Sequence, residues 1–169
     1  MVHITDTRTV IGVNYLAFDI IGDLSFGAPF GMLESGKDIA MAPKHHGSQQ
    51  VLMNSYGKQE INSDIFGIPA VEILNGRGDF SMCIGVLPPS WRPIVSKLPG
   101  YRFGTDCVQY LAGISIMAVA KRLANPTDRN DLLSKLQNGR DDQGKPLGGE
   151  ELTAEAQTFL IAGSDSSAK

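Results

Sequence analysis

The feature that most limits the fold of this chain is the helical spacing of its apolar residues, which recurs in three separate segments. In the first segment, apolar residues lie three or four positions apart, as on the buried face of a helix. They are Val13, Leu16, Ala17, Ile20, Ile21 and Leu24. This helix should end at residues 26–29, because Gly27 can adopt a positive φ and Pro29 cannot continue the hydrogen-bond ladder.

The second segment predicts a helix of about six turns that ends at Asn125, just before a proline. Its helical positions are Cys107, Val108, Leu111, Ala112, Ser115, Val119 and Leu123. The third segment predicts a helix with apolar positions at Leu152, Ala156, Phe159, Leu160 and Gly163. Glu150 and Glu151 come just before these positions, where the dipole of a helix N-terminus favours acidic side chains.

The remaining segments show weaker patterns. Residues 132–136 predict a short helix built on three leucines, and residues 138–146 predict an exposed polar loop. Residues 37–63 are polar and weakly periodic, so we expect them to be partly helical. Residues 65–87 are apolar but are interrupted by Pro69 and four glycines, which favours short helical turns. No alternation is long enough for a sheet, so the predicted fold class is mainly α.

Composition and charge allow one domain and argue against several kinds of partner. A chain of 169 residues with 42% apolar and 20% charged residues suits a single globular core. The net charge is -3 and the basic residues are scattered, so we expect neither nucleic acid nor an anionic membrane surface as a partner. No apolar run approaches the roughly 20 residues of a membrane span, so we expect no transmembrane segment and no targeting or anchor segment. Cys83 and Cys107 lack the spacing of a zinc site or a disulfide framework, which favours a reducing compartment.

Three polar motifs suggest binding sites, but each has a simpler interpretation. Residues 31–38 almost match the phosphate-binding GxxxxGK[ST] loop, yet an acid stands where a hydroxyl should hold magnesium, and a helix precedes the motif. Asp19 and Asp23 share one helix face and suggest an acid–base pair or a metal site, but a structural ion pair or hydrogen bond is the stronger interpretation. The neighbouring His45 and His46 point in different directions, which favours a surface loop.

The last predicted helix changes character in the string LIAGSDSS at residues 160–167, which passes from apolar to small, acidic and hydroxylated residues. Ala162 and Gly163 would let a flat ligand approach the backbone, and Ser166 shares a helix face with Ala162. Asp165, about 100° round the helix, could connect that hydroxyl to solvent as a proton source. From these residues alone, an Asp-Ser-Ser cap at a helix end is an equally good interpretation.

The same residues resemble the AGxDTT oxygen-activation signature of cytochromes P-450, in which the bent I helix crosses the haem. The resemblance extends upstream. Residues 150–156 resemble the start of the I helix, residues 132–136 resemble the H helix region, and residues 18–30 resemble the E helix. Together with residues 85–93 and 121–129, the order and spacing are most similar to the fungal benzoate para-hydroxylases of this family.

The resemblance implies a partial cytochrome P-450 fold with the E, F, G and H helices and most of the I helix, but without the haem-ligand region. Residues 1–169 would be a fragment of one such domain. The implied activity is that of a haem-thiolate monooxygenase, which hydroxylates a small, benzoate-like aromatic substrate with dioxygen. The electrons would come from NADPH through NADPH-cytochrome P-450 reductase, and complete family members would lie at the endoplasmic reticulum membrane.

The resemblance also implies roles for residues of the last helix. Ala162 and Gly163 would make room for dioxygen, and Phe159 with Ala162 would wall the substrate pocket. Asp165 and Ser166 would deliver protons for cleavage of the O–O bond. The family usually has threonine at the position of Ser166. Serine keeps the hydroxyl but lacks the methyl group that restricts its rotamer, so we expect oxygen use to be less tightly coupled to product.

One part of the family's site is missing from the sequence. The family holds its iron through a Cys thiolate, but neither Cys83 nor Cys107 lies in an FxxGxRxC loop, so no metal ligand is assigned. We therefore expect the isolated chain to be inactive, to expose apolar surface and to be weakly stable or prone to aggregation. Two alternatives stay open, namely a non-catalytic helical protein that binds a partner through that surface, and nucleotide binding at residues 31–38.

Overall fold

The computed structural model describes residues 7–43, 65–125, 128–140 and 144–167, with side chains for all of these except residues 7–10 and 164–167. In this part of the chain helices predominate, as the sequence predicts. The helices are α1 (Thr7–Phe26), α2 (Met32–Ser35), α3 (Ala70–Gly85), α4 (Arg92–Val95), α5 (Arg102–Ala124), α6 (Leu132–Asn138) and α7 (Gly149–Ser167), with a 3₁₀ turn at Pro99–Tyr101. Two short strands, β1 (Ala40–Pro43) and β2 (Ile65–Ile68), accompany them.

Helix α5 lies at the centre of the core, and α1, α3, α7 and β1 all pack against it. Leu111, Ile114 and Val119 on this helix are completely buried. The helix ends at Ala124, so the predicted six-turn helix is confirmed. The length and apolar composition of α5 and the preceding 3₁₀ turn would allow them to cross a bilayer. A helix that is packed on several sides within a protein needs the same apolar composition, and α5 is packed in this way.

Helix α3 contradicts the prediction of short helical turns, since Ala70–Gly85 is one continuous helix. At its N-terminus, Asp38 Oδ1 accepts a hydrogen bond from Val71 N at 2.9 Å. Gly76 is tolerated because the helix packs closely on α5 at this position, whereas a Cβ atom at Gly78 or Gly85 would meet nothing within 4 Å. A Cβ atom at Gly76 would lie 2.7 Å from Cys107 Sγ, so only glycine fits there without movement. Contact between α3 and α5 therefore outweighs the low helix propensity of glycine.

A two-stranded antiparallel sheet corrects the prediction that no sheet forms. The strands pair from Ala40 opposite Ile68 to Pro43 opposite Ile65, and β1 packs on α5. Each strand has only four residues, which is too short to give a clear alternating pattern in the sequence. Strand β1 falls within the segment predicted to be partly helical, so Ala40–Pro43 belongs to its non-helical part. The rest of the segment up to Ser63 lies largely outside the described residues.

Helix α1 forms as predicted but turns a different side to the core. Phe18 and Phe26 are buried with Ala17, and Ile21 is half-buried. Four of the six residues predicted to be buried are instead 40 to 54% exposed, namely Val13, Leu16, Ile20 and Leu24. The reason is that α1 is apolar around most of its circumference, so the spacing alone does not determine which side α7 covers.

A buried ion pair joins the end of α5 to the start of α6. Arg122 Nε donates to Asp131 Oδ2 at 2.6 Å, and the two side chains are only 7% and 0% exposed. Asp131 also caps α6, because its Oδ1 accepts a hydrogen bond from Ser134 N at 2.7 Å. Gly27 lies against the pair with a φ of 75°, and a Cβ atom there would be 2.9 Å from Asp131 Oδ2. The pair thus holds the turn after α1 against α5 and α6.

Candidate functional site

Helix α7 carries all the site residues predicted from the sequence, and its two faces differ in burial. Leu152, Ala156 and Leu160 are buried, and the helix packs against α1, α5 and α6. Thr158 and Ala162 lie on the exposed face. The helix therefore presents one side to the core and leaves the other side accessible.

The N-terminus of α7 agrees with the prediction from the sequence. Glu150 and Glu151 both lie in its first turn, where the helix dipole favours negative charge. Glu151 Oε2 also accepts a hydrogen bond from Gly148 N at 2.8 Å, which satisfies an amide just before the helix. These contacts fix where α7 begins and hence the positions of its later residues.

Gly163 lies where α7 crosses α1. A Cβ atom at this position would be 2.6 Å from both Cγ1 and Cδ1 of Ile21, which is far inside van der Waals contact. The absence of a side chain therefore lets the two helices approach each other. This contact gives Gly163 a packing role, while its part in an oxygen groove stays a prediction.

Ala162 and Phe159 lie one turn apart on α7, and the structure brings them together at the edge of the exposed face. Ala162 is exposed and Phe159 is half-buried. A methyl side chain at Ala162 leaves the backbone close to the surface, and the Phe159 ring supplies apolar surface nearby. This arrangement agrees with the predicted wall for a flat apolar ligand, and the role of the pair in a substrate pocket stays a prediction.

Asp165 and Ser166 belong to the last turn of α7, and their backbone is helical. Their side chains lie outside the described residues, so the proton-delivery role stays a prediction. Helical geometry places position 166 one turn after Ala162, which is the arrangement that the sequence predicts.

The phosphate-loop resemblance at residues 31–38 has a structural explanation. Asp19 Oδ1 accepts hydrogen bonds from Gly31 N at 2.8 Å and from Met32 N at 3.1 Å, and its Oδ2 accepts one from Leu33 N at 2.9 Å. A carboxylate of the same chain therefore occupies three backbone amides at the start of this loop. The residues after Gly36 lead into strand β1 and not into the helix that follows a phosphate-binding loop, so the geometry of this loop does not favour nucleotide binding.

Asp23 also has a structural role, as the sequence predicts. Its Oδ1 accepts a hydrogen bond from Arg129 Nη1 at 2.8 Å, which links α1 to the segment before α6. The interpretation of Asp19 and Asp23 as structural carboxylates is therefore confirmed. His45 and His46 lie outside the described residues.

The structure also forms a cavity that the sequence analysis missed. Its volume is about 360 Å³, and it lies between the end of α1, the turn that follows, the two strands and the C-terminal half of α5. Its walls come from segments that are far apart in the sequence, so no local pattern could indicate it.

Comparison with known proteins places these helices in a family. The chain is 48% identical to a benzoate 4-monooxygenase of Aspergillus niger over 159 residues, which cover 90% of the chain and 28% of that protein. It is 27% identical to a cytochrome P450 monooxygenase of Penicillium brasilianum over 92% of the chain and 26% of that protein. The chain belongs to the cytochrome P-450 family.

A third relative supports this assignment to the cytochromes P-450. A bifunctional cytochrome P450/NADPH–P450 reductase of Fusarium oxysporum is 34% identical over 64% of the chain and 10% of its own length. No protein-family profile and no solved structure matches the chain. The chain thus spans about a quarter of the length of the first two cytochrome P-450 relatives and a tenth of the third.

In cytochrome P-450 terms, the described helices follow the predicted order. Helix α1 corresponds to the E helix, α6 to the H helix and α7 to the I helix. Helices α3 and α5 stand where the F and G helices are expected. The predicted mainly α, partial cytochrome P-450 fold is confirmed.

Cytochromes P-450 hold haem through a Cys thiolate, and the described residues fit one wall of such a site but not the ligand. Ala162 fits the wall, because an exposed methyl side chain lets a flat ring reach the helix. Cys107 is 1% exposed, and burial, together with the nearby charges of Asp106 and Glu72, raises the pKa of its thiol. A thiolate ligand needs the opposite shift. Cys83 is exposed near the end of α3, and no group of three or more metal-binding side chains occurs in the described part of the chain.

Proposed function

We propose that this chain forms the oxygen-side wall of a haem-thiolate monooxygenase that hydroxylates a small, benzoate-like aromatic substrate. The observation that carries the proposal is the 48% identity to the Aspergillus niger benzoate 4-monooxygenase, which extends over 90% of this chain. The exposed Ala162 on a helix whose opposite face is buried supports the proposal, because it leaves an accessible surface where the family's haem would lie.

In this proposal each residue of α7 has a limited task. When bound, haem supplies the redox chemistry of dioxygen reduction. Ala162 leaves room beside the helix, and Phe159 excludes water from the substrate through its apolar ring. Ser166 holds a proton near the oxygen site, and Asp165 passes protons from solvent to that hydroxyl.

The proposal includes an electron source and a location. Electrons come from NADPH through a cytochrome P-450 reductase, and the complete protein lies at the endoplasmic reticulum membrane. The name of the Fusarium oxysporum relative joins a cytochrome P450 with an NADPH–P450 reductase, which supports the reductase as partner. The isolated chain is not expected to turn over substrate, because neither Cys83 nor Cys107 lies in the FxxGxRxC loop in which the family's iron ligand stands.

A chimaera tests the proposal. The matching segment of the Aspergillus niger relative is replaced by this chain, and NADPH-dependent hydroxylation of benzoate is measured with reductase present. We expect product and a carbon monoxide difference spectrum. Ala162→Phe in the chimaera should lower product formation by roughly a hundredfold, because the added ring displaces substrate or dioxygen from its reactive position.

Ala154→Phe is the matched control, since Ala154 is also an exposed alanine of α7 but lies two turns earlier. It should leave product formation close to that of the unmodified chimaera. Equal losses in the two variants would contradict the role of Ala162. A chimaera that binds haem but does not hydroxylate benzoate would contradict the substrate.

A further inference from the structure

The cavity beside α5 lies away from Phe159, Ala162 and Gly163, because no described side chain of α7 lines it. Phe26 and Phe30 form one side of it, at the end of α1 and in the turn that follows. Their rings pack edge to face with centroids 6.4 Å apart. Phe30 packs in the same way on the buried Phe18, with centroids 6.1 Å apart. This aromatic side is therefore held in place by the core.

The other sides of the cavity are also mainly apolar. Ile39, just before β1, and Met41, in β1, contribute from the antiparallel hairpin that β1 and β2 form. Ile114 and Met117 contribute from α5. Ile39 and Met41 are 45% and 54% exposed, so the cavity is open to solvent on the hairpin side. Its volume of about 360 Å³ lies within the usual range for sites that bind small molecules.

The charges at one end of the cavity favour an anion. Lys121 and Arg122 line that end, and among the described lining residues there is no carboxylate. The charge of Arg122 is balanced by the ion pair with Asp131. Lys121 is exposed, and no described carboxylate lies within ion-pair distance of its ammonium group. Among the described groups, the end of the cavity thus carries about one uncompensated positive charge.

The C-terminus of α5 opposes an anion only weakly. A helix C-terminus carries roughly half a negative charge, which comes from carbonyl groups without partners. Here Asn125 Nδ2 and Asn125 N both donate to Lys121 O, at 3.0 and 3.2 Å. Arg122 Nη1 donates to Asn125 O at 3.3 Å. The full charge of the Lys121 ammonium therefore outweighs the remaining dipole.

From this combination we infer that the cavity binds a small amphipathic monocarboxylate, with its apolar body between Phe30, Met41 and Met117 and its carboxylate at Lys121. The apolar walls of the cavity contact the apolar body of such a molecule, and the cationic end contacts its carboxylate. The apolar body gains from leaving water, and the carboxylate keeps an ionic partner at the rim.

Three probes with the same octyl body test the inference, namely octanoate, octan-1-ol and octylammonium. Each is titrated against the 169-residue chain at low concentration by ligand-observed NMR. Octanoate should bind saturably and about fivefold more tightly than octan-1-ol, which is the size of effect expected for a partly exposed ionic contact. Octylammonium should bind most weakly, since Lys121 repels it.

Two pairs of variants locate the site. Lys121→Gln should abolish the roughly fivefold preference for octanoate over octan-1-ol, whereas Lys135→Gln should keep it. Lys135 is a matched control, because both lysines lie in the last turn of a helix and are exposed. Met41→Asp should weaken the binding of octanoate more than the binding of octylammonium. Met82→Asp changes an exposed methionine outside the cavity lining and should leave both affinities unchanged.

Far-ultraviolet circular dichroism checks that each variant keeps the helix content of the parent chain. The inference is overturned if octanoate does not bind saturably, or if it binds no more tightly than octan-1-ol. It is also overturned if Lys121→Gln and Lys135→Gln have the same effect. Because none of these probes requires haem or turnover, the result is independent of the proposed monooxygenase activity.

Discussion

At the residue scale, Gly163 illustrates how a glycine in the middle of a helix can be required by packing. A Cβ atom at this position would be 2.6 Å from two carbons of Ile21. We predict that Gly163→Ala lowers the free energy of unfolding by about 1–3 kcal/mol through overpacking, although alanine favours the helix itself. Urea denaturation of the chain measures the change.

Gly12→Ala provides the control for Gly163→Ala, since a Cβ atom at Gly12 meets nothing within 4 Å. It should not destabilise the chain. In the double variant Gly163→Ala/Ile21→Ala, part of the free energy of unfolding that Gly163→Ala loses should be recovered, because the added methyl group faces the atoms removed from Ile21. Simple additivity of the two losses would contradict the contact.

Asp131 is the residue whose protonation should matter most for stability. Burial by itself raises the pKa of this carboxyl group, but the hydrogen bonds from Arg122 and Ser134 and the charge of Arg122 outweigh burial and hold the pKa below the ordinary value of 3.8. Because the folded-state pKa is lowered, the stabilisation is complete above pH 3.8 and is lost as the pH falls through the folded-state pKa.

Asp131→Asn should therefore lower the free energy of unfolding by at least about 3 kcal/mol at neutral pH, because it leaves the buried Arg122 without its counter-charge. The free energy of unfolding of this variant should also fall less steeply as the pH is lowered into the acid range. Asp23→Asn, which affects the more exposed pair with Arg129, should have a much smaller effect. Equal acid sensitivity of the parent chain and Asp131→Asn, measured by urea denaturation across pH, would refute this account.

At the element scale, the crossing of α3 and α5 depends on small residues on both helices. A Cβ atom at Gly76 would be 2.7 Å from Cys107 Sγ, and one at Gly104 would be 2.5 Å from Phe80 Cβ. Gly78, two residues further along α3, meets nothing within 4 Å. Gly76 and Gly78 therefore have different roles that the sequence does not distinguish.

This difference predicts opposite effects of the same substitution. Gly76→Ala should destabilise the chain by about 1–3 kcal/mol, whereas Gly78→Ala should stabilise it by up to about 1 kcal/mol through helix propensity. Thermal or urea denaturation followed by circular dichroism compares the two variants. If both substitutions stabilise the chain, the close crossing of α3 and α5 is wrong.

The same contrast explains which elements could be predicted from the sequence. Helices α5, α6 and α7 have regular apolar spacing, so periodicity was sufficient to locate them. Helix α3 was missed because its glycines were counted as breaks. The close contacts that explain Gly76 are with Cys107 and Phe103, which lie on another helix. The hairpin was missed because its strands have four residues each and are separated in the sequence.

The candidate site was predictable for a different reason. Ala162, Gly163, Asp165 and Ser166 are contiguous in the sequence, so a family signature could identify them. The contact of Gly163 with Ile21 was not predictable, since it joins helices at opposite ends of the chain. The use of Asp19 to cap α2 was only partly predictable, because its amide partners lie 12 to 14 residues away.

At the scale of the whole molecule, α1 carries an exposed apolar stripe formed by Val13, Leu16, Ile20 and Leu24. The expectation that the chain exposes apolar surface is thereby confirmed. The chain spans 28% of the length of its Aspergillus niger relative, which leaves a large part of that protein available to cover such a stripe. On its own, the chain should aggregate through this surface.

Replacing Leu16, Ile20 and Leu24 together by glutamine should therefore raise the concentration at which the isolated chain aggregates, without lowering its helix content. Light scattering and circular dichroism measure the two quantities. A sharp two-state melt of the unmodified chain without aggregation would contradict the expectation of weak stability. If the triple variant aggregates at the same concentration as the parent chain, the chain does not aggregate through this stripe.

The central claim for the whole molecule is that α7 handles dioxygen in a cytochrome P-450. Its most direct test is the ratio of hydrogen peroxide to hydroxylated product in the chimaera, compared between the parent and Ser166→Thr, with Ser167→Thr as the control on the same helix. We predict that Ser166→Thr lowers this ratio, because the added methyl group restricts the hydroxyl rotamer, and that Ser167→Thr does not change it. An unchanged ratio in Ser166→Thr, or an equal decrease in both variants, would contradict the claim.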